Sequence, residues 1–236
     1  MFQKFKISLV LFNLLFVIPT FDIHAAVEKK AEVKKEKTVR KKKLTKQQKN
    51  QNQQKNLALS EPSVPKGDIE VVILTSKGKI RLDLFKEKDP LTVNNFIQYV
   101  KAGYYNNTIF HRIVDGFIIQ GGAYDVGFNE KPPLFEPIKN TSFKGLKNTF
   151  GTIAMARKQS SPDSATSQFF INLSNNSYLD YTKEENGYAV FGKVLSGMEI
   201  IQKIAKQKIG QREGMYNVPF YTDEALISSV YVVEPQ

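Results

Sequence analysis

Residues 110–122 have the sequence Phe-His-Arg-Ile-Val-Asp-Gly-Phe-Ile-Ile-Gln-Gly-Gly, and this stretch decides the fold. It predicts two short strands joined by a tight turn at Asp115-Gly116, because apolar residues stand on both sides of that turn. Arg112 lies within this apolar ribbon, where a guanidinium is costly to bury unless it has a partner or a function. The side-chain carbonyl of Gln120 is a candidate acceptor for it. From these residues alone two interpretations stay open: a core hairpin with one arginine reaching to solvent, or a site built around that arginine.

Two further blocks of sequence follow this hairpin. The first is Gly151-Thr-Ile-Ala-Met-Ala-Arg157 followed by Ser167-Gln-Phe-Phe-Ile-Asn172, and the second is Leu179-Asp180 followed by Val190-Phe-Gly-Lys-Val194. In order and spacing, the three blocks resemble the signature of the cyclophilin family of peptidyl-prolyl cis-trans isomerases. The resemblance covers about residues 68–234, and three ordered blocks are far more specific than one short motif.

Hydrophobic periodicity predicts many short strands and only two helices. Asp89-Pro90 begins the first helix, with Asp as the N-cap and Pro at the first helical position. Ser196 and Glu199 predict a capping box at the start of the second. Besides the central hairpin, strands are predicted at residues 69–75, 79–85, 151–156, 168–173, 188–194 and 226–233. This pattern favours a barrel, and the resemblance implies a mainly β fold: a closed eight-stranded antiparallel β-barrel capped by two α-helices.

Residues 1–26 have the pattern of a secretory signal peptide. Lys4 and Lys6 precede an apolar run at residues 7–18, and Ala25-Ala26 offers a small-residue cleavage site. The run is shorter than the ~20 residues that a helix needs to cross a bilayer. We therefore expect export to the periplasm, with an uncleaved membrane anchor as the alternative.

The positive charge of the chain is concentrated near its start. Residues 1–56 contain 14 Lys/Arg and 4 Asp/Glu, whereas residues 57–236 contain 20 and 19. Residues 27–66 are rich in Lys, Glu, Gln and Asn and have no aromatic residue, so they predict a disordered basic tether. Weak binding of this tether to anionic surfaces is expected, but specific nucleic-acid binding is not, because no aromatic side chain is available for base stacking. The remaining residues, 67–236, predict one folded domain.

The chain has no cysteine and two histidines, His24 and His111. Disulfides, thiolate nucleophiles and thiolate zinc sites are therefore excluded. The two histidines stand too far apart in context to suggest a metal pair. We expect neither a metal nor a cofactor.

The cyclophilin resemblance implies chemistry that needs neither. The peptide bond before proline isomerises over a barrier of ~18–20 kcal/mol because of its partial double-bond character. A hydrogen-bond donor over the prolyl nitrogen stabilises the twisted state more than either planar state. The resemblance assigns this role to Arg112, with Gln120 holding it in place. It assigns substrate contacts to Phe117, Ile118, Ala156, Arg157, Gln168, Phe170, Tyr178, Leu179 and Tyr188.

Two of these positions depart from the best-known family pattern. Tyr178 stands where many members have tryptophan, and Tyr188 stands where many have histidine. The departures resemble bacterial secreted cyclophilins. They affect the rim that binds the family's inhibitor cyclosporin more than the catalytic arginine.

Three functions are compatible with the sequence. The first is a monomeric isomerase that acts on X-Pro bonds of exported, folding polypeptides. The second is a non-catalytic module that holds proline-containing segments, and the third is an interaction protein that works through its basic tether. Arg112, Gln120 and Phe117 are all present, which favours the enzyme.

Overall fold

The computed structural model describes residue 67 and residues 69–234 of the chain. These residues contain eleven β-strands and two α-helices. The signal peptide predicted at residues 1–26 and the tether predicted at 27–66 lie outside the described residues. The strands are β1 Ile69–Thr75, β2 Gly78–Leu84, β3 Thr108–Ile109, β4 Arg112–Val114, β5 Ile118–Gly121, β6 Thr152–Met155, β7 Phe169–Asn172, β8 Val190–Ser196, β9 Ile209–Arg212, β10 Met215–Pro219 and β11 Leu226–Val232. The helices are α1 Pro90–Lys101 and α2 Met198–Ala205.

Nine of the strands form one antiparallel sheet in the order β3-β11-β1-β2-β8-β6-β7-β5-β4. The two terminal strands, β3 and β4, are halves of one stretch that is interrupted only at Phe110-His111. Its first half pairs with β11 and its second half pairs with β5. The sheet therefore closes into the eight-stranded antiparallel β-barrel that the family resemblance implies.

The barrel interior is filled by aromatic and branched side chains, as is typical of eight strands. Phe96 of α1 packs against Phe169 and Phe191, with ring centroids 5.5 and 5.1 Å apart. All three rings are fully buried. Helix α1 packs against β11, and helix α2 packs against β2.

The start of α1 agrees with the prediction. The Asp89 carboxylate accepts a hydrogen bond from the Thr92 amide at 3.4 Å, and Pro90 is the first helical residue. Gly103 follows the helix with φ +65°, a conformation that suits glycine.

The predicted capping box of α2 is wrong. Ser196 is the last residue of β8, and the N-cap is Gly197, with φ +98° and no capping side chain. A Cβ at this position would lie 2.5 Å from the carbonyl oxygen of Lys79, so only glycine fits the turn from β8 into the helix. The box motif is local, whereas the close approach of β2 is a tertiary contact that the motif does not contain.

The β9–β10 hairpin is not predicted from the sequence. Most residues of β9 are exposed, and the hairpin forms its own two-stranded sheet beside β4. Its strands have no alternation of apolar and polar residues, which is the signal by which a half-buried strand is recognised.

Candidate active site

Two rows of side chains run across strands β4, β5, β7 and β6 and lie on opposite faces of the barrel wall. One row consists of Ile113, Ile119, Ile171 and Ile153, which are fully buried in the barrel interior. The neighbouring row consists of Arg112, Gln120, Phe170 and Ala154. Because successive side chains of a strand point to opposite faces, the second row faces outward. The predicted site therefore lies on the outside of the barrel.

An apolar cluster separate from the barrel core covers this outer face. Its buried members are Phe85, Ile118, Ala154, Phe170 and Val190, and its partly buried members are Phe117, Leu146, Ala156, Leu179 and Tyr188. Six residues predicted to contact substrate thus meet in one cluster. Phe85, Leu146, Ala154 and Val190 were missed by sequence reasoning. Leu146 lies in an irregular segment where no periodicity marks it.

Arg112 stands at the border of this cluster. Its guanidinium carbon lies 5.9 Å from the centroid of the Phe117 ring, and the residue is half-buried. Within residues 69–234 no carboxylate forms a salt bridge with it. The guanidinium therefore keeps donors free to bind a substrate.

Gln120 has a different partner from the predicted one. It stands directly opposite Arg112 in the β4–β5 ladder, but its side-chain amide donates to Oε1 of Gln168 at 2.9 Å. No hydrogen bond joins it to Arg112 in the part of the chain described. The contact links β5 to the residue just before β7, so Gln120 orients Gln168 and lies beside the arginine.

Arg157 is held by backbone carbonyls of the segment before β8 and of its own neighbour in sequence. Its Nε donates to the carbonyl of Gly187 at 3.1 Å, and its terminal nitrogens donate to the carbonyls of Asn186 and Lys158. The guanidinium carbon lies 4.5 Å from the centroid of the Tyr188 ring. Arg157 therefore forms part of the rim together with Tyr188, whose ring also packs edge-on against Phe170 at 5.6 Å.

Tyr178 is the most exposed of the predicted residues, at 68 % of its surface. Its ring stacks on Phe117 with a centroid distance of 5.7 Å and an interplanar angle of 28°. The 3₁₀ turn Ser177–Leu179 carries both Tyr178 and Leu179 to the cluster.

Two buried asparagines hold this turn against the barrel. The Asn148 side chain donates to the carbonyl of Leu179 at 3.1 Å, and the Asn176 side chain donates to the carbonyl of Phe117 at 3.1 Å. Both residues are nearly inaccessible to solvent. Sequence reasoning did not identify them, because an asparagine in a loop carries no signal of a long-range contact.

His111 precedes Arg112 and is only 5 % exposed. Burial, together with the adjacent positive charge of Arg112, lowers the pKa of His111 to about 4. The imidazole is therefore neutral at pH 7, which agrees with a structural role.

Two recesses adjoin the site. One of about 430 Å³ is lined by His111, Arg112, Tyr124 and Gln168 and by residues 215–218 of β10. The other, of about 380 Å³, runs along Ala156, Arg157 and Gln168. No group of three His, Asp or Glu side chains within the described residues is arranged to hold a metal ion, and no helix there is long and apolar enough to cross a membrane.

Comparison with known proteins decides the family. Residues 70–229 match the family described as cyclophilin type peptidyl-prolyl cis-trans isomerase. The chain belongs to the cyclophilin family.

The relatives of this cyclophilin include bacterial isomerases. A peptidyl-prolyl cis-trans isomerase of Acinetobacter baylyi is 47 % identical over 149 residues, which cover 63 % of this chain and 78 % of that protein. Peptidyl-prolyl cis-trans isomerase B of Escherichia coli is 46 % identical over 168 residues, covering 70 % of this chain and 99 % of that protein. A crystal structure of a Cryptosporidium parvum cyclophilin, determined in the presence of the dipeptide Ala-Pro, matches with a TM-score of 0.60 at 28 % identity, covering 70 % of this chain and 99 % of that one.

These findings establish the activity class of the chain. It is a cyclophilin-type peptidyl-prolyl cis-trans isomerase. The outward-facing row of Arg112, Gln120 and Phe170, with the apolar cluster beside it, is the candidate substrate-binding surface.

Proposed function

We propose that this cyclophilin isomerises X-Pro bonds of exported polypeptides and that Arg112 is its catalytic donor. The observation that carries the mechanism is the position of Arg112: a half-buried guanidinium without an acidic partner among the described residues, at the edge of an apolar cluster. An arginine in this setting is permanently charged and offers donors fixed in a plane.

The proline ring lies in the apolar cluster in this proposal. Phe117 and Phe170 contact its faces, and Leu179 closes the recess. The substrate segment before proline runs along Ala156 and Arg157, where Gln168, oriented by Gln120, hydrogen-bonds to a substrate carbonyl. These contacts hold the ring while the preceding peptide bond turns.

Rotation removes the amide resonance, so the prolyl nitrogen becomes pyramidal and gains a lone pair. The Arg112 guanidinium donates to that lone pair. This hydrogen bond exists only in the twisted state, so it lowers the barrier without stabilising the planar ground states. A preorganised donor in such a site contributes about 2.7–4 kcal/mol.

Substitution of Arg112 tests the mechanism. Arg112→Ala is expected to reduce the kcat/KM of a proline peptide by about 10² or more while the far-UV circular dichroism spectrum stays unchanged. Arg81→Ala is the matched control, because Arg81 on β2 forms a salt bridge with Glu70 on β1 and lies outside the site. Turnover of Arg112→Ala close to that of the wild type would remove Arg112 from the mechanism.

Export is supported by the sequence pattern of residues 1–26: Lys4 and Lys6, a short apolar run and Ala25-Ala26. We propose that the mature protein begins near Ala26 or Val27 and works as a monomer in the periplasm. The basic tether would then bind weakly to anionic surfaces there. Intact-mass measurement of the periplasmic fraction tests export, and retention of Met1 in a membrane fraction would support an anchor instead.

A further inference from the structure

The β9–β10 hairpin stands beside the catalytic strand. Its second strand, β10, packs against β4, which begins at Arg112. The guanidinium carbon of Arg212, at the end of β9, lies 4.8 Å from the centroid of the Phe128 ring. The hairpin is thereby fixed to the loop that follows β5, and it forms a wall next to the site.

Arg112 adjoins both the apolar cluster and the 430 Å³ recess. Its guanidinium carbon lies 5.9 Å from the Phe117 ring centroid, and it lines the recess together with His111, Tyr124, Gln168 and residues 215–218. A peptide that places its prolyl nitrogen at the guanidinium therefore has a second surface beside it.

The backbone of β10 is irregular where it lines this recess. Pairing with β9 slips between Tyr216 and Val218, so Asn217 is an extra residue, and its φ is +60°. A bulge of this kind changes the direction of the neighbouring side chains. Tyr216 remains 66 % exposed at the edge of the recess, although a large aromatic side chain is usually packed.

The chemistry of the recess suits an apolar occupant. Tyr124, Met215, Tyr216 and Val218 offer ring and aliphatic surface, and His111 is neutral at pH 7. The other lining residues are Arg112, Gln168 and Asn217, and none of them is acidic. Tyrosine provides a large, amphipathic contact area, and methionine adapts to the shape of its neighbour.

We propose that this recess is a subsite that binds an apolar or aromatic side chain at the residue immediately after proline, with Tyr216 as its specificity-determining residue. The inference rests on the proposed placement of the proline ring against Phe117. Because the segment before proline occupies the edge at Ala156 and Arg157, the chain that follows proline crosses Arg112 and reaches the hairpin.

The test uses peptides Ala-Ala-Pro-Y with Y as Phe, Leu, Gly or Asp, and a second series in which the residue before proline is varied with Y kept as Gly. Exchange NMR measures isomerisation, because a protease-coupled assay would impose its own preference for Y. The mature wild-type protein is compared with the variants Tyr216→Ala and Tyr231→Ala. Tyr231 is the matched control, because it is an exposed tyrosine on β11, which does not line the recess.

The wild type is expected to show a kcat/KM for Y = Phe about tenfold above that for Y = Gly, the lower end of what an apolar pocket provides. Tyr216→Ala should bring this ratio close to one, and Tyr231→Ala should leave it unchanged. Met215→Ala should reduce the ratio by a smaller factor. Tyr216 is exposed, so its truncation is not expected to unfold the protein.

Three results would overturn the subsite. An equal loss for all four peptides in Tyr216→Ala would mean that the hairpin only supports Arg112. A preference that follows the residue before proline, or a maximum at Y = Asp, would assign the recess to another occupant. The proposed catalytic role is tested separately. If it fails, Arg112→Ala keeps the turnover of the wild type, and the ratio of kcat/KM between Y = Phe and Y = Gly can still be measured in the wild type.

Discussion

At the scale of single residues, His111 links the site to the pH dependence of stability. Its pKa is about 4 in the folded protein, against 6.5 for an ordinary histidine. A lowered folded-state pKa means that the unfolded state binds the proton more readily, so stability is retained above pH 6.5 and lost as the pH falls towards 4. The full loss amounts to about 3 kcal/mol.

The variant His111→Gln separates this effect from the titration of carboxylates. Urea unfolding at pH 7 and pH 4.5 should show a larger loss of stability for the wild type than for His111→Gln, because only in the wild type does unfolding expose a histidine that takes up a proton at pH 4.5. Identical losses in the two proteins would show that His111 does not titrate in this range.

Tyr178 determines, in our prediction, how strongly cyclosporin inhibits this enzyme. The family resemblance places the drug on the surface that includes this position, where tryptophan is common. Tyrosine keeps an aromatic face on Phe117 but has less area and lacks the indole N–H. Loss of the hydrogen bond weakens binding of the drug by ~0.5–1.5 kcal/mol. Loss of ~40 Å² of apolar contact area weakens it by about 1 kcal/mol more.

We therefore expect weakened inhibition of the wild type and partial recovery in Tyr178→Trp, with turnover of a proline peptide little changed. Titration of the drug against both proteins measures this. Equal inhibition constants would show that Tyr178 does not set the sensitivity to the drug. Tyr188, the second position that departs from the family pattern, would then be the next residue to test.

At the scale of elements, the start of α1 is tied to the long loop that follows β5. The Asp89 carboxylate is 1 % exposed and accepts hydrogen bonds from the Thr92 amide, the Thr141 hydroxyl and the Lys144 ammonium. It therefore caps the helix and anchors the loop at one point. Loss of both the helix cap and the loop anchor should lower the free energy of unfolding by more than loss of a cap alone, which costs about 1 kcal/mol.

We expect Asp89→Ala to lower the free energy of unfolding by about 3 kcal/mol, and Asp89→Asn to lower it by less because the amide oxygen still caps the helix. Glu87→Ala, at an exposed position two residues earlier, is the control and should stay within about 0.5 kcal/mol of the wild type. Denaturant unfolding measures all three. A loss below 1 kcal/mol in Asp89→Ala would show that the loop is anchored elsewhere.

At the scale of the whole molecule, the described residues contain every side chain predicted to act in catalysis or in binding the proline peptide. Deletion of residues 27–60 should therefore leave the kcat/KM for a short proline peptide unchanged. The comparison uses the mature wild type and the deletion variant in the same assay. A large decrease would mean that the basic segment contributes to the site, contrary to its composition.

The sequence by itself determined the features that depend on neighbours along the chain. The hairpin at residues 110–122 follows from apolar residues around Asp115-Gly116, and α1 begins where Asp89-Pro90 predicts. The predicted β8, at residues 188–194, was displaced by two residues from Val190–Ser196. Periodicity and capping are interactions within a few residues, so they can be read from a single segment.

The tertiary structure alone decided which distant groups meet. Gln120 binds Gln168, 48 residues away, and not Arg112. Gly197 and not Ser196 begins α2, because the backbone at Lys79 leaves no room for a Cβ. The β9–β10 hairpin lies beside Arg112 although its own sequence has no strand pattern. These contacts depend on how the closed barrel sets the register and spacing of its strands, and that information is distributed over the whole chain.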